Sequence, residues 1–161
     1  LKIYFANDLF SEATQQFNES VVRKIRANTH AKVFLPQEDE SINDKSGYAD
    51  SIMIAQSDTE QLMSSDMLVA VLDGLVIDPG VASEIGMFYT TGRPIIGLYT
   101  DPRATAYGNS KKKEATDTIG ENQMSYLNLY TVGLVKQRGI ILPKADDLPF
   151  YINKWIDLGE L

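Results

Sequence analysis

The chain has 161 residues, 43% hydrophobic and 23% charged, proportions that let a globular protein bury a core without covalent staples. Its 15 basic and 22 acidic residues leave a net charge of −7, the wrong sign for a nucleic-acid partner, which is held by clustered Lys and Arg. The lack of cysteine excludes disulfides, thiol catalysis and zinc–thiolate sites, and no apolar run approaches the roughly 18–20 residues of a membrane span. A single cytoplasmic domain over residues 1–161, with no membrane partner, is the expectation.

In chain order, "KIYFA" (2–6) predicts a short strand. Residues 9–28 then carry Phe10, Ala13, Phe17, Val21 and Ile25 at helical spacing. "AKVFLP" (31–36) is a second strand closed by proline, and the polar stretch 37–47 reads as a loop. A second helix is expected over 48–66. "MLVAVLDG" (67–74) is almost unbroken in its apolar character, the mark of a central strand covered on both faces. A third helix follows from about Gly80 to Thr91, and "GRPIIGLYTD" supplies a fourth strand. After a long polar insert (101–123), a helix is expected over 124–139, a short strand over 140–143 and a closing helix over 145–161.

Alternation of this kind predicts a flavodoxin-like α/β fold: a doubly wound parallel sheet of five strands with right-handed crossovers and helices on both faces. Ligands in such sheets bind beyond the carboxyl ends of the strands, where the connections diverge. Those ends are Tyr4 to Asn7, Leu72–Asp73 and Leu98 to Thr100. The segment after the third strand, "DPGVASEIG" (78–86), lies on the same rim and holds two carboxylates, Asp78 and Glu84.

Much chemistry can be set aside. One histidine, His30, in a helix-to-strand connection, leaves little for a Ser-His-Asp triad or a His-rich metal site. Neither phosphate-cradling glycine motif occurs. The run Lys111–Lys113, among polar and acidic neighbours, is a solvated loop tip. Carboxylates, tyrosines and amides remain. Glu84 near a helix start should be held as an anion by free N–H groups and the positive end of the dipole, as suits a nucleophile. Gly80, Ala82, Ser83 and Gly86 leave room around it. Asp78 is equally readable as a turn residue before Pro-Gly, Asp58 as a solvated helix face, Asn128 as a helix cap, Tyr4 as a packed strand residue, and Asp66 as a structural residue joining helix and strand.

Taken together, Tyr4–Phe5 ending the first strand, Asp58 in the second helix, the D-x-G-x-x-x-E-x-G segment from Asp78 to Gly86 and "NLY" from Asn128 to Tyr130 resemble the nucleoside 2-deoxyribosyltransferase family over roughly residues 2–134. The resemblance implies that Glu84 is the nucleophile that attacks C1′ of a 2-deoxyribose, giving a covalent glutamyl-deoxyribosyl intermediate that a second base displaces with net retention. It implies that Tyr4 holds Glu84, that Asp78 and Asp58 flank the nucleobase and help protonate it, and that Asn128 reaches the sugar from a neighbouring subunit. The substrates implied are purine or pyrimidine 2′-deoxynucleosides and free nucleobases, in nucleoside salvage. No cofactor and no metal are implied. The shared site implies a homo-oligomer based on dimers, up to a hexamer. Gly80 is the close-packed position at the substrate, and Phe10 is either a base-stacking residue or part of the first helix's core.

Where many relatives carry glycine after the first strand, this chain reads "ANDLF". Two other readings stand beside the transferase. One is an N-glycosidase acting on 2′-deoxynucleoside 5′-monophosphates, against which acidic Asp8 and the lack of arginine in "ANDLF" both argue. The other is a non-catalytic flavodoxin-like binding or receiver domain using Asp8, Asp73 and Lys144, which leaves Glu84, Asp78 and Tyr4 without roles.

Overall fold

Period-two alternation in the first strand sorts the molecule into two layers around one sheet. Ile3 and Phe5 point to one face and Tyr4 and Ala6 to the other, all of them buried. The computed structural model describes residues 1–43, 47–102, 108–116 and 127–159. Its sheet is parallel throughout, with strands β1 (Lys2–Ala6), β2 (Lys32–Phe34), β3 (Met67–Val71), β4 (Ile95–Leu98) and β5 (Gly139–Leu142) in the order β2-β1-β3-β4-β5. This is the flavodoxin-like order expected. β3, buried along its whole length, is the central strand.

The Ile3–Phe5 face packs against Val22 and Ile25 of α1 (Glu12–Asn28) and Leu148 and Ile152 of α7 (Leu148–Leu158). The Tyr4–Ala6 face packs against Leu62 of α3 (Ser51–Met63), Ile85 and Phe88 of α4 (Pro79–Tyr89) and Val132 and Val135 of α6 (Leu129–Arg138). At the amino end of the sheet, Lys2 N donates to Asp66 Oδ2 at 2.7 Å while Asp66 N donates to Lys2 O at 2.8 Å. Asp66 is thus the structural junction residue expected.

Helices begin at side-chain caps rather than where the apolar pattern starts. Ser11 accepts from Thr14 N, Asp50 from Ile52 N and Met53 N, and Asn128 from Thr131 N. The expected starts at 9 and 48 were therefore too early, because the apolar residues there precede the cap. The expected start at 124 lies outside the described residues, and the helix observed begins at Leu129. The loop expected over 37–47 is also corrected: Pro36 opens a 3-10 turn (Pro36–Glu38) and a short helix, α2 (Glu40–Asn43), follows. Within the insert 101–123, the described residues include α5 (Ser110–Thr116), headed by Asn109, whose side chain accepts from Lys111 N and Lys112 N. Residues 103–107 and 117–123 of that insert lie outside the described residues. α7 stops at Gly159, at φ 67°, the left-handed geometry that closes helices.

Gly139, in the first position of β5, shows how tightly the layers meet. A Cβ there would stand 2.0 Å from Ile95 O and 2.8 Å from the Trp155 ring. Gly139→Ala is expected to destabilise the protein by about 3 kcal/mol, read as a lower urea midpoint at unchanged m-value.

Candidate active site

Two elements carry the central pair. β1 directs Tyr4 to the α3–α4–α6 face, where the side chain is wholly buried. α4 opens at Pro79, whose missing N–H costs nothing at a first helical position, and Asp78 caps it by accepting from Val81 N at 3.1 Å. A Cβ at Gly80 would come within 2.9 Å of Asp78 Oδ1, so a larger residue there would press on the capping carboxylate. Glu84 is the sixth residue of α4, half-buried, and Tyr4 Oη donates to its Oε1 at 2.6 Å.

Burial raises the Glu84 carboxyl from its usual value to about 7; the charges of Asp58 and Asp78 push the same way, and only the Tyr4 hydrogen bond pulls it down. This corrects the expectation that the helix start keeps Glu84 ionised. The dipole acts within the first turn, and Glu84 lies beyond it, where desolvation outweighs it. Burial and the neighbouring Glu84 carboxylate hold the Tyr4 hydroxyl far above its ordinary range, so Tyr4 is a permanent donor. One oxygen of Glu84 is thereby fixed in place, the preorganisation that a nucleophile or a charge-stabilising carboxylate needs.

Asp58, on α3, is half-buried rather than on a solvated face. Burial first, then the charge of Asp39, raises its pKa, and its own charge acts on both Glu84 and Tyr4. Asp78 is both the turn residue and a charge felt by Glu84, so its two readings are compatible. Asn128 caps α6 at an exposed position, flanked by exposed Leu129 and Tyr130. Phe10 precedes α1 and is 83% exposed, so it is not part of the first helix's core. The structure therefore joins Tyr4, Glu84, Asp58, Asp78 and Gly80 at one rim, while Phe10 and Asn128 stand exposed outside that cluster.

The sequence reading missed two neighbours. Phe34 pairs with Tyr4 in register across β1 and β2, the ring centroids 5.4 Å apart at 32°; strand alignment alone would have found it. Asp39, assigned to a loop, accepts from Ser57 Oγ at 3.0 Å. Elsewhere on the rim, Asp73 accepts from both Thr100 N and Thr100 Oγ1 at 2.6 Å, tying the ends of β3 and β4. That structural bond weakens the receiver reading. Among the described residues no group of three or more His, Cys, Asp or Glu is placed to hold a metal ion, and no helix is long and apolar enough to cross a membrane.

A half-buried glutamate held by a buried tyrosine, at the carboxyl rim of a β2-β1-β3-β4-β5 parallel sheet, defines an α/β protein with a candidate site built around carboxylates. The sequence model of the family described as nucleoside 2-deoxyribosyltransferase matches residues 3–130, and the chain belongs to that family. Membership supports an enzyme of deoxyribosyltransferase type, with nucleosides and nucleobases as its class of substrate.

Among solved structures, the chain is similar to a conserved protein from Enterococcus faecalis V583 at 51% identity, over 95% of this chain and 97% of that one, with a TM-score of 0.84. It shares its fold with a 2-deoxyribosyltransferase from Bacillus psychrosaccharolyticus (18% identity, 92% and 90% covered, TM-score 0.65). It also does so with a CMP N-glycosidase from Clostridium botulinum (15% identity, 96% and 99% covered, TM-score 0.53). No curated protein matches the sequence.

Proposed function

We propose that the protein transfers a 2-deoxyribosyl group from one nucleobase to another. The observation that carries this reading is the 2.6 Å hydrogen bond from buried Tyr4 to Glu84, with a second, reluctantly ionised carboxyl, Asp58, beside it. Ionised Glu84 attacks C1′ as the C1′–N bond breaks, and Asp58 or Asp78 helps protonate the departing base. A second base then displaces Glu84 from the opposite face, so that two inversions give net retention. Water is a competing acceptor, and slow hydrolysis is the expected side reaction.

Phe10 stacks on the base in this scheme, and Gly80 admits the substrate beside Asp78. Asn128 reaches the sugar of a neighbouring subunit in a homo-oligomer. The exposure of Leu129 (77%) and Tyr130 (76%) directly beside Asn128 supports such an assembly, because adjacent exposed apolar residues mark contact surfaces. Acidic Asp8 beyond β1, with no arginine in "ANDLF", favours a substrate ending in a 5′-hydroxyl over one carrying a phosphate.

The test is to incubate the protein with 2′-deoxyinosine plus adenine, and separately with thymidine plus adenine, beside a Glu84→Ala control. Deoxyadenosine formed by the wild type alone is the expected result, and the two donors sort purine from mixed specificity. Free base without deoxyadenosine would replace transfer by hydrolysis as the main reaction, the N-glycosidase alternative.

A further inference from the structure

A second cleft opens at the amino ends of β4 and β5, the opposite end of the sheet from the rim where α4 begins. It encloses about 310 Å³, the small end of the range for ligand sites. Gly92 and Pro94, in the turn before β4, form one wall, and Gln137, Arg138, Gly139 and Trp155 form the rest. The turn is held by Arg93, whose guanidinium lies 5.0 Å from the Phe88 ring centroid and donates to Ser65 O. Trp155, on α7, can lie against β5 because Gly139 has no side chain, a Cβ there standing 2.8 Å from its ring.

The polar side chains on these walls offer donors that the protein does not use. Arg138 Nε is buried with no hydrogen-bond partner among the described residues, a condition that calls for an explanation. The guanidinium instead lies over the Tyr89 ring, 4.6 Å from its centroid. Tyr89 Oη donates to Gln137 Oε1 at 2.8 Å. That bond occupies the acceptor of the Gln137 amide and leaves its N–H groups as the free end.

No carboxylate answers these donors. None lines the cleft, and the ion pairs among the described residues, Lys24–Asp146 and Arg26–Glu38, do not involve Arg138. Arg138 stands in the last turn of α6, where a cation also complements the helix dipole. That role needs the charge alone. It gives no part to the cleft, to the Gln137 amide or to the indole wall.

We propose that this cleft binds a small organic oxyanion, a carboxylate or a phosphate monoester. Its charged group sits on Arg138 and Gln137, and its apolar body lies against Trp155 and Pro94. A guanidinium presents paired N–H groups that match two oxygens of such a group, and the Tyr89 ring sets the plane in which they are presented. The site is separate from the Tyr4–Glu84 pair and does not depend on the transferase reading.

Trp155 is the only tryptophan of the chain, so its fluorescence reports occupancy of the cleft without any assay of activity. Phenyl phosphate and benzoate are titrated into the whole protein at constant ionic strength, with benzyl alcohol as the neutral analogue. At least one anion should change the emission saturably, with a midpoint of about 1 mM or below, and the tighter of the two identifies the oxyanion preferred. Arg138→Gln should weaken that midpoint by about tenfold or more, as loss of a charge-assisted hydrogen bond does. Gln137→Glu keeps Arg138 and its charge at the helix end but sets a carboxylate in the cleft, and should abolish the response. Three results would each overturn the site: no saturable change with either anion, benzyl alcohol binding as tightly as the anions, or wild-type midpoints in both variants. If Arg138 serves the helix dipole alone, Arg138→Gln lowers the urea midpoint while the wild type ignores both anions.

Discussion

Glu84→Gln is expected to abolish base exchange and, above neutrality, to make the protein more stable. The amide cannot form the ester intermediate, so transfer should fall by about 10⁴-fold or more, read by product chromatography. The stability gain follows from linkage. The Glu84 carboxyl is raised from 4.5 to about 7 in the folded protein, so between these values the folded state holds a proton that the unfolded state has lost. Stability from this group is fully present below about 4.5 and declines as pH rises through 7. At about 1.4 kcal/mol per pH unit the interval amounts to some 3 kcal/mol, less what a partly exposed carboxylate recovers from water. Glutamine carries no charge at either pH and still accepts from Tyr4. Its Tm should exceed that of the wild type by about 5 °C at pH 8 and by almost nothing at pH 4. Equal differences at both pH values would show that the charge of Glu84 is not what strains the fold.

Tyr4→Phe should produce the second large effect, confined to one side of the pH profile. The Tyr4 hydroxyl is the one influence that lowers the Glu84 pKa against burial and two like charges. Without it the carboxyl stays protonated to higher pH, and the acid limb of kcat/KM moves upward. A hydrogen bond to a charged group contributes about 1.5–3 kcal/mol, which places the loss near 10–100-fold at pH 6. It should shrink toward pH 9, where Glu84 ionises regardless. A constant loss at every pH, with the limb unmoved, would reduce Tyr4 to a packing residue.

The strand order was legible because the apolar run at 67–74 identifies a central strand and the helical stripes between strands require parallel crossovers. Helix starts were less so, because Ser11, Asp50 and Asn128 fix them by side-chain bonds that an apolar pattern does not register. At the site, "DPGVASEIG" exposed Glu84 as unusual, but its meeting with Tyr4 came from family resemblance and not from spacing. The ionisation state was misjudged for a definite reason: proximity to a helix start is visible in sequence, whereas the burial that outweighs it is a tertiary quantity. Phe10 suits the helical stripe yet lies ahead of the cap and projects into solvent. Asp39 and Phe34 escaped because each matters through a partner on another element, Ser57 and Tyr4 respectively.

The bond between Tyr4 and Glu84 joins residues 80 apart in sequence, and the strand that bears Tyr4 lies between β2 and β3, both of which follow it in the chain. No local segment can assemble this site. The first strand must pair with β3, which follows it by roughly sixty residues, before its tyrosine meets α4, and pairings of such long range are the slow part of folding. Recovery of the proposed base exchange after dilution from denaturant should therefore time the pairing of the first strand with β3, with the reaction product as the clock.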